Sequence, residues 1–116
     1  MSEIKKTSEI KFTVKLDEGH LPLDIGWYAS DAGFAENKSC KALLISLFDT
    51  SEKTTMKIDL WTKDMLVDEM NQFFAETFMA LADTYESATG EKEAAEIIKK
   101  FAGEFAKITG LGADNN

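Results

Sequence analysis

Few side chains in this sequence could do chemistry. There is one histidine, His20, one cysteine, Cys40, and an acidic group formed by Asp59, Asp64, Asp68 and Glu69. General acid–base work wants a histidine or a carboxylate with a displaced pKa inside a pocket. His20 lies in "DEGHLP", a turn punctuated by Gly19 and Pro22, where a solvated imidazole is expected. Cys40 borders an apolar run and has no second histidine to activate it, so it reads as a small half-buried thiol. No Cys/His spacing suits zinc, and there is no Gly-x-Ser-x-Gly elbow. "ATGEK" around Gly90 lacks the spacing and the hydroxyl of a phosphate loop. The acidic group could hold Mg²⁺, a hard cation that prefers oxygen ligands. Yet each member has a structural reason to be there. Asp59 falls on the outward face of a strand, Asp64 suits a helix N-cap, and Asp68 and Glu69 complement the positive end of a helix dipole. No catalytic residue, cofactor or metal ligand is assigned, and the chain reads as a protein that binds and is not an enzyme.

The elements that would position these residues follow from periodicity. "SEIKFTVKL" alternates, with Ile10, Phe12, Val14 and Leu16 on one face and lysines and threonine on the other, a strand over residues 8–16. "LDIGWYAS" predicts a second strand over 23–30 with Ile25, Trp27 and Ala29 inward. "DAGFAENKS" reads as a connection. "KALLISLF" predicts a third strand, 41–48, apolar enough to be covered on both faces, and "DTSEKT" a hairpin loop. The fourth strand, 54–62, sets Met56, Ile58 and Leu60 against Lys57, Asp59 and Trp61. Short polar links argue an antiparallel four-stranded sheet.

The period then changes. Leu66, Met70, Phe73, Phe74, Phe78, Leu81, Ala82 and Tyr85 recur at helical steps, giving a helix over 65–89 that stops at Gly90. A second helix over 91–109 aligns Ala94, Ile98, Phe101, Phe105 and Ile108 and ends at Gly110; 111–116 reads as a frayed tail. The fold class is therefore α+β, ββββαα, one domain over residues 1–116.

Charge narrows the partners. All 13 basic residues are Lys, against 21 acids, for a net charge of −8. Residues 1–63 hold nine Lys and ten acids; residues 64–116 hold four Lys and eleven acids. Nucleic-acid binders cluster cations to neutralise phosphates, and anionic lipid attracts cations likewise. Neither nucleic acid nor a membrane surface is expected as a direct partner. The N-terminus carries charges without an apolar core, and one cysteine closes no internal disulfide, so a cytoplasmic location is expected.

Other proteins are the expected partners. The first helix has no Lys, and Glu76, Asp83 and Glu86 fall together on its polar side with Met79. Like charges without i,i+4 partners cost a little stability, which a basic partner surface would recover. The apolar arc is too wide for one sheet face, so a homo-oligomer, dimer or tetramer, is expected. Trp61, opposite the inward side chains of its strand, is a further contact candidate.

"IDLWTKDMLVDEMNQFF" with "ALADTYESATG" and "TSEIKFTVKLDE" resembles the gliding-motility GldC family of Bacteroidetes, from about Thr7 to Gly90. Leu66 stands where relatives often carry Pro, a change a helix start tolerates. The resemblance implies a small accessory or adaptor protein of gliding motility, acting through protein contacts and carrying no catalytic residues. The order of elements is also similar to that of SecB-type export chaperones, which implies a holdase as the alternative. A small-ligand binder at the acidic strand–helix joint is a third reading, and it requires a real concave pocket.

Overall fold

The computed structural model describes residues 3–31 and 38–111. The chain divides into two compact units, Met1–Met65 and Leu66–Asn116. Residues 112–116 of the expected tail 111–116 and the middle of the "DAGFAENKS" connection, 32–37, lie outside the described residues.

The first unit carries five strands: β1 (Ile10–Leu16), β2 (Pro22–Ala29), β3 (Lys38–Cys40), β4 (Ala42–Phe48) and β5 (Thr55–Trp61). All pairings are antiparallel, but they form two sheets, β1-β2-β3 and β4-β5, where the sequence suggests one sheet of four. The reason is local. The extended stretch 38–48 breaks at Lys41, and its two parts take different partners. Cys40 pairs with Ile25 of β2, whereas Ala42 pairs with Trp61 of β5. The expected strand 41–48 is thus β4, and β3 is an extra strand whose residues come from what reads as loop.

Register confirms the alternation. Phe12 faces Trp27 and Val14 faces Ile25, so the apolar residues of β1 and β2 share a face, and Ile25 at its centre is fully buried. In the other sheet Leu43, Ile45 and Leu47 face Leu60, Ile58 and Met56. Burial fades toward the hairpin tip: Leu43 is buried, while Leu47, Met56 and Ile58 are exposed. The expectation that β4 is covered on both faces fails, since Leu44 and Phe48 on its other face are exposed too.

Turn chemistry fixes the hairpins. In the β1–β2 turn, Asp17 Oδ1 accepts from the N–H groups of Gly19 (2.8 Å) and Leu21 (3.0 Å), and His20 sits in the left-handed region at φ 65°. Asp49 plays the same part in the β4–β5 turn, accepting from Ser51 and Glu52 N–H. Such short polar side chains replace backbone partners where the chain reverses. The two sheets are tied by the Lys63 N–H donating to Pro22 O at 3.1 Å, and by the Lys63 ammonium on Asp17 Oδ2 at 2.9 Å.

The second unit is a helical hairpin, α1 (Val67–Thr89) and α2 (Lys92–Ile108). α1 runs unbroken. Its N-cap is Leu66, not Asp64 as the sequence suggests. Leu66 has no side-chain acceptor, so only the return half of a capping box forms: the Glu69 carboxylate accepts the Leu66 N–H at 2.9 Å. Asp64 instead accepts from the Thr62 hydroxyl at 2.6 Å. Gly90, at φ 75°, closes α1 as expected, its N–H donating to Glu86 O at 2.8 Å.

The hairpin seam is made of alanines. Ala75 and Ala82 on α1 and Ala95 and Ala102 on α2 are its buried residues, each pair seven apart. This corrects the expected inward line of α2, in which Ala94, Phe101 and Ile108 were to face the core. Small side chains at a two-turn repeat let backbones approach closely, and close approach turns the large residues aside. Phe78 meets Phe101 and Phe105 edge-on, with ring centroids 5.0 and 5.2 Å apart, on one side of the seam.

Candidate protein-docking site

The other side of the seam is a groove of about 690 Å³. Its floor is small: Ala75 and Ala80 from α1, Ala102, Gly103 and Ala106 from α2. Its α1 wall carries Gln72, Glu76, Met79 and Asp83, and Lys99 stands on the α2 wall. Three of the five contact residues suggested by the sequence therefore meet at one place. Positions 76, 79 and 83 share a face because three- and four-residue steps return to the same side of a helix.

The electrostatics differ from the sequence picture in one respect. The acids of α1 are not all without a cation, because Lys99 reaches across from α2 to Glu86 (3.7 Å) and Asp83 (4.0 Å). Glu86 is half-buried beside it, and Asp83 remains largely in solvent. Glu76 accepts a hydrogen bond from the Gln72 amide at 3.2 Å. Exposed ion pairs of this kind contribute little to stability, so the wall stays a negative surface open to competition.

Gly103 completes the site, and sequence reasoning missed it. A glycine inside a helix costs roughly 0.5–1 kcal/mol relative to alanine. A Cβ built at Gly103 meets nothing within 4 Å, so no neighbouring atom in the chain demands the absence of a side chain. The signal was present in the sequence as Ala95, Ala102, Gly103 and Ala106, small residues spaced to fall on one side of α2.

Trp61 lies in the other unit, exposed at the end of β5. It borders a cavity of about 330 Å³ with Leu21, Pro22, Asp59, Leu60 and Lys63. Both charged groups there are already engaged, Asp59 by Lys57 and Lys63 by Asp17. The remaining chemical candidates are placed plainly. His20 is exposed in its turn. Cys40 is half-buried, and burial, helped by the Asp24 charge, pushes its thiol up, away from the reactive thiolate. The Thr62 hydroxyl, with a smaller contribution from Lys41, holds Asp64 below the usual carboxylate range. Among the described residues no group of three His, Cys, Asp or Glu side chains is placed to hold a metal ion.

Residues 22–110 match the family described as Gliding motility-associated protein GldC-like. The chain belongs to that family. The match includes both helices, the groove between them and Trp61. No curated protein and no solved structure matches the chain. No helix among the described residues of this GldC-like chain is long and apolar enough to cross a membrane.

Proposed function

We propose that this chain is a non-enzymatic, cytoplasmic accessory protein of gliding motility that works by holding a segment of another protein in the α1–α2 groove. The observation that carries the reading is the groove itself: a floor of alanines and Gly103 beneath a wall bearing Glu76, Met79 and Asp83. An apolar floor with an acidic rim fits a basic, partly apolar segment, whose charges would answer the acids and whose backbone would approach over Gly103. Family membership supports the motility setting.

The test is partner capture from a gliding bacterium. Glu76→Lys/Asp83→Lys and Gly103→Leu should each reduce recovery of the wild type's partners by about tenfold or more, the scale of losing 1.4 kcal/mol. Gly103→Leu is the sharper probe, because it fills the groove while improving helix propensity. Unchanged recovery with both variants sinks the groove.

A second reading, a holdase for envelope or motility clients, draws on a different observation. Leu47, Met56 and Ile58 are exposed together on one face of the β4–β5 sheet. Contiguous exposed apolar surface marks binding sites for unfolded chains as well as for folded partners.

A further inference from the structure

Among the described residues, the outer edge of β4 stands unguarded. A strand at a sheet edge presents a row of unpaired N–H and C=O groups, and proteins blunt such edges with charge, proline, brevity or cover. β1, the edge of the three-stranded sheet, carries Lys11 and Lys15. β3 is only three residues long. β5 carries Lys57 and Asp59, and its far end is met by the start of β2, where the Lys63 N–H donates to Pro22 O. β4 reads ALLISLF, without charge or proline. Its sole strand partner among the described residues is β5.

Alternation says which of its groups are free, because antiparallel partners exchange bonds at every second residue. Thr62 N–H donates to Lys41 O, and Asp49 N–H to Thr54 O, at the two ends of the ladder. The regular register between them gives the backbones of Leu43, Ile45 and Leu47 to β5 and turns those of Leu44, Ser46 and Phe48 outward. All three of these outward residues are exposed.

The residues of the edge also say what pairs with it. Set antiparallel to itself about Ile45, β4 places Leu43 opposite Leu47, Ile45 opposite Ile45, Leu44 opposite Ser46 and Ala42 opposite Phe48. The outward groups of Leu44 and Ser46 then meet as a hydrogen-bonded pair, twice by symmetry. Apolar and β-branched pairs of this kind are favourable, whereas like charges directly opposite are not. The same operation on β1, centred on Thr13, would set Lys11 against Lys15. A two-stranded ribbon is also marginal by itself, and Leu47, Met56 and Ile58 in the distal part of β4–β5 are exposed. Pairing through β4 makes it four-stranded, β5-β4-β4-β5. Residues 1–63 are close to neutral, nine Lys against ten acids, so two copies meet little repulsion there.

We infer that β4 is a self-pairing edge, through which two copies of the chain join antiparallel about Ile45. The pairing concerns the first unit, is independent of the α1–α2 groove, and leaves both faces of the β4–β5 sheet free. One strand pair buries less than the ~1,600 Å² of a standard interface, so the dimer forms as concentration rises.

Sedimentation of the full chain from about 5 to about 300 µM, the weak end of specific association, tests it. The wild type should rise from 12.9 kDa toward twice that mass. Ser46→Pro should stay monomeric over the same range with unchanged circular dichroism, since it removes an outward N–H and no bond to β5. Geometry is read by thiol linkage on a Cys40→Ser background. Ile45→Cys, on the two-fold axis, should form disulfide dimers about tenfold faster than Phe48→Cys, whose two copies lie about 20 Å apart at ~3.3 Å per residue. Random collision predicts the reverse, because Phe48 is exposed and Ile45 half-buried. A wild type that stays monomeric at the top of the range overturns the pairing, and so does a dimer that a folded Ser46→Pro leaves intact. Should the proline variant unfold, the cysteines decide: Phe48→Cys linking as fast as Ile45→Cys overturns the arrangement. Partner capture by Ser46→Pro should match the wild type, which separates a failure of the pairing from a failure of the groove.

Discussion

Asp17 shows how much one side chain can hold. Its carboxylate accepts two backbone N–H groups of its own turn and receives Lys63 from the far end of the β5 segment. The Leu21 N–H is the largest cause, followed by Lys63, and together with Gly19 they hold Asp17 below its ordinary value of 3.8. A carboxyl depressed in the folded state contributes stability above its unfolded pKa and loses it as pH falls through the lower folded value. Asp17→Asn keeps an acceptor for the turn but drops the charge, so it should melt a few degrees below wild type at pH 7. That gap should close as the pH falls below about 3.8, which a series of thermal melts would show. A gap that persists at pH 2 would mean that the turn, and not the Lys63 pair, sets the difference. Part of this was legible: "DEGHLP" announces a turn, but nothing in the sequence tells Asp17 that Lys63 will stand beside it. The same blindness hid Lys99 from Asp83 and Glu86, since partners on separate elements share no periodicity. What one helix could show by itself, the common face of Glu76, Met79 and Asp83, was read correctly.

At the scale of elements, both helices and their stops were visible in the three- and four-residue recurrence and in Gly90 and Gly110. Two things were not. The strand before Lys41 leaves no mark, because Lys38–Cys40 is three residues of largely polar sequence, too short for an alternation to show. The choice of Ala95 over Ala94 for the seam is equally silent. Adjacent alanines point about 100° apart on a helix, and only the opposing surface selects between them. That selection is testable. Ala95 is fully buried, so Ala95→Leu should force the helices apart and cost about 1–3 kcal/mol in urea denaturation. An unchanged midpoint would show that the seam has room to spare.

For the molecule as a whole, the surplus of exposed hydrophobic side chains is the dominant fact. If that surface serves unfolded clients, the wild type should bind hydrophobic dye strongly and suppress aggregation of a reduced client protein at equimolar ratio. Weak dye binding with no such suppression would remove the holdase. The strongly negative second half of the chain opposes association of such surfaces with one another.

The tight joint at Gly90 and Glu91 has a kinetic corollary. Only two residues separate the end of α1 from the start of α2, so contacts across the seam can form stepwise outward from the joint. Closing so short a loop takes tens of nanoseconds and helix growth about a microsecond, and local connectivity of this kind goes with rapid assembly. The helical hairpin is thus built to zip up on its own clock. It need not wait for the slower strand pairings upstream to find their alignment.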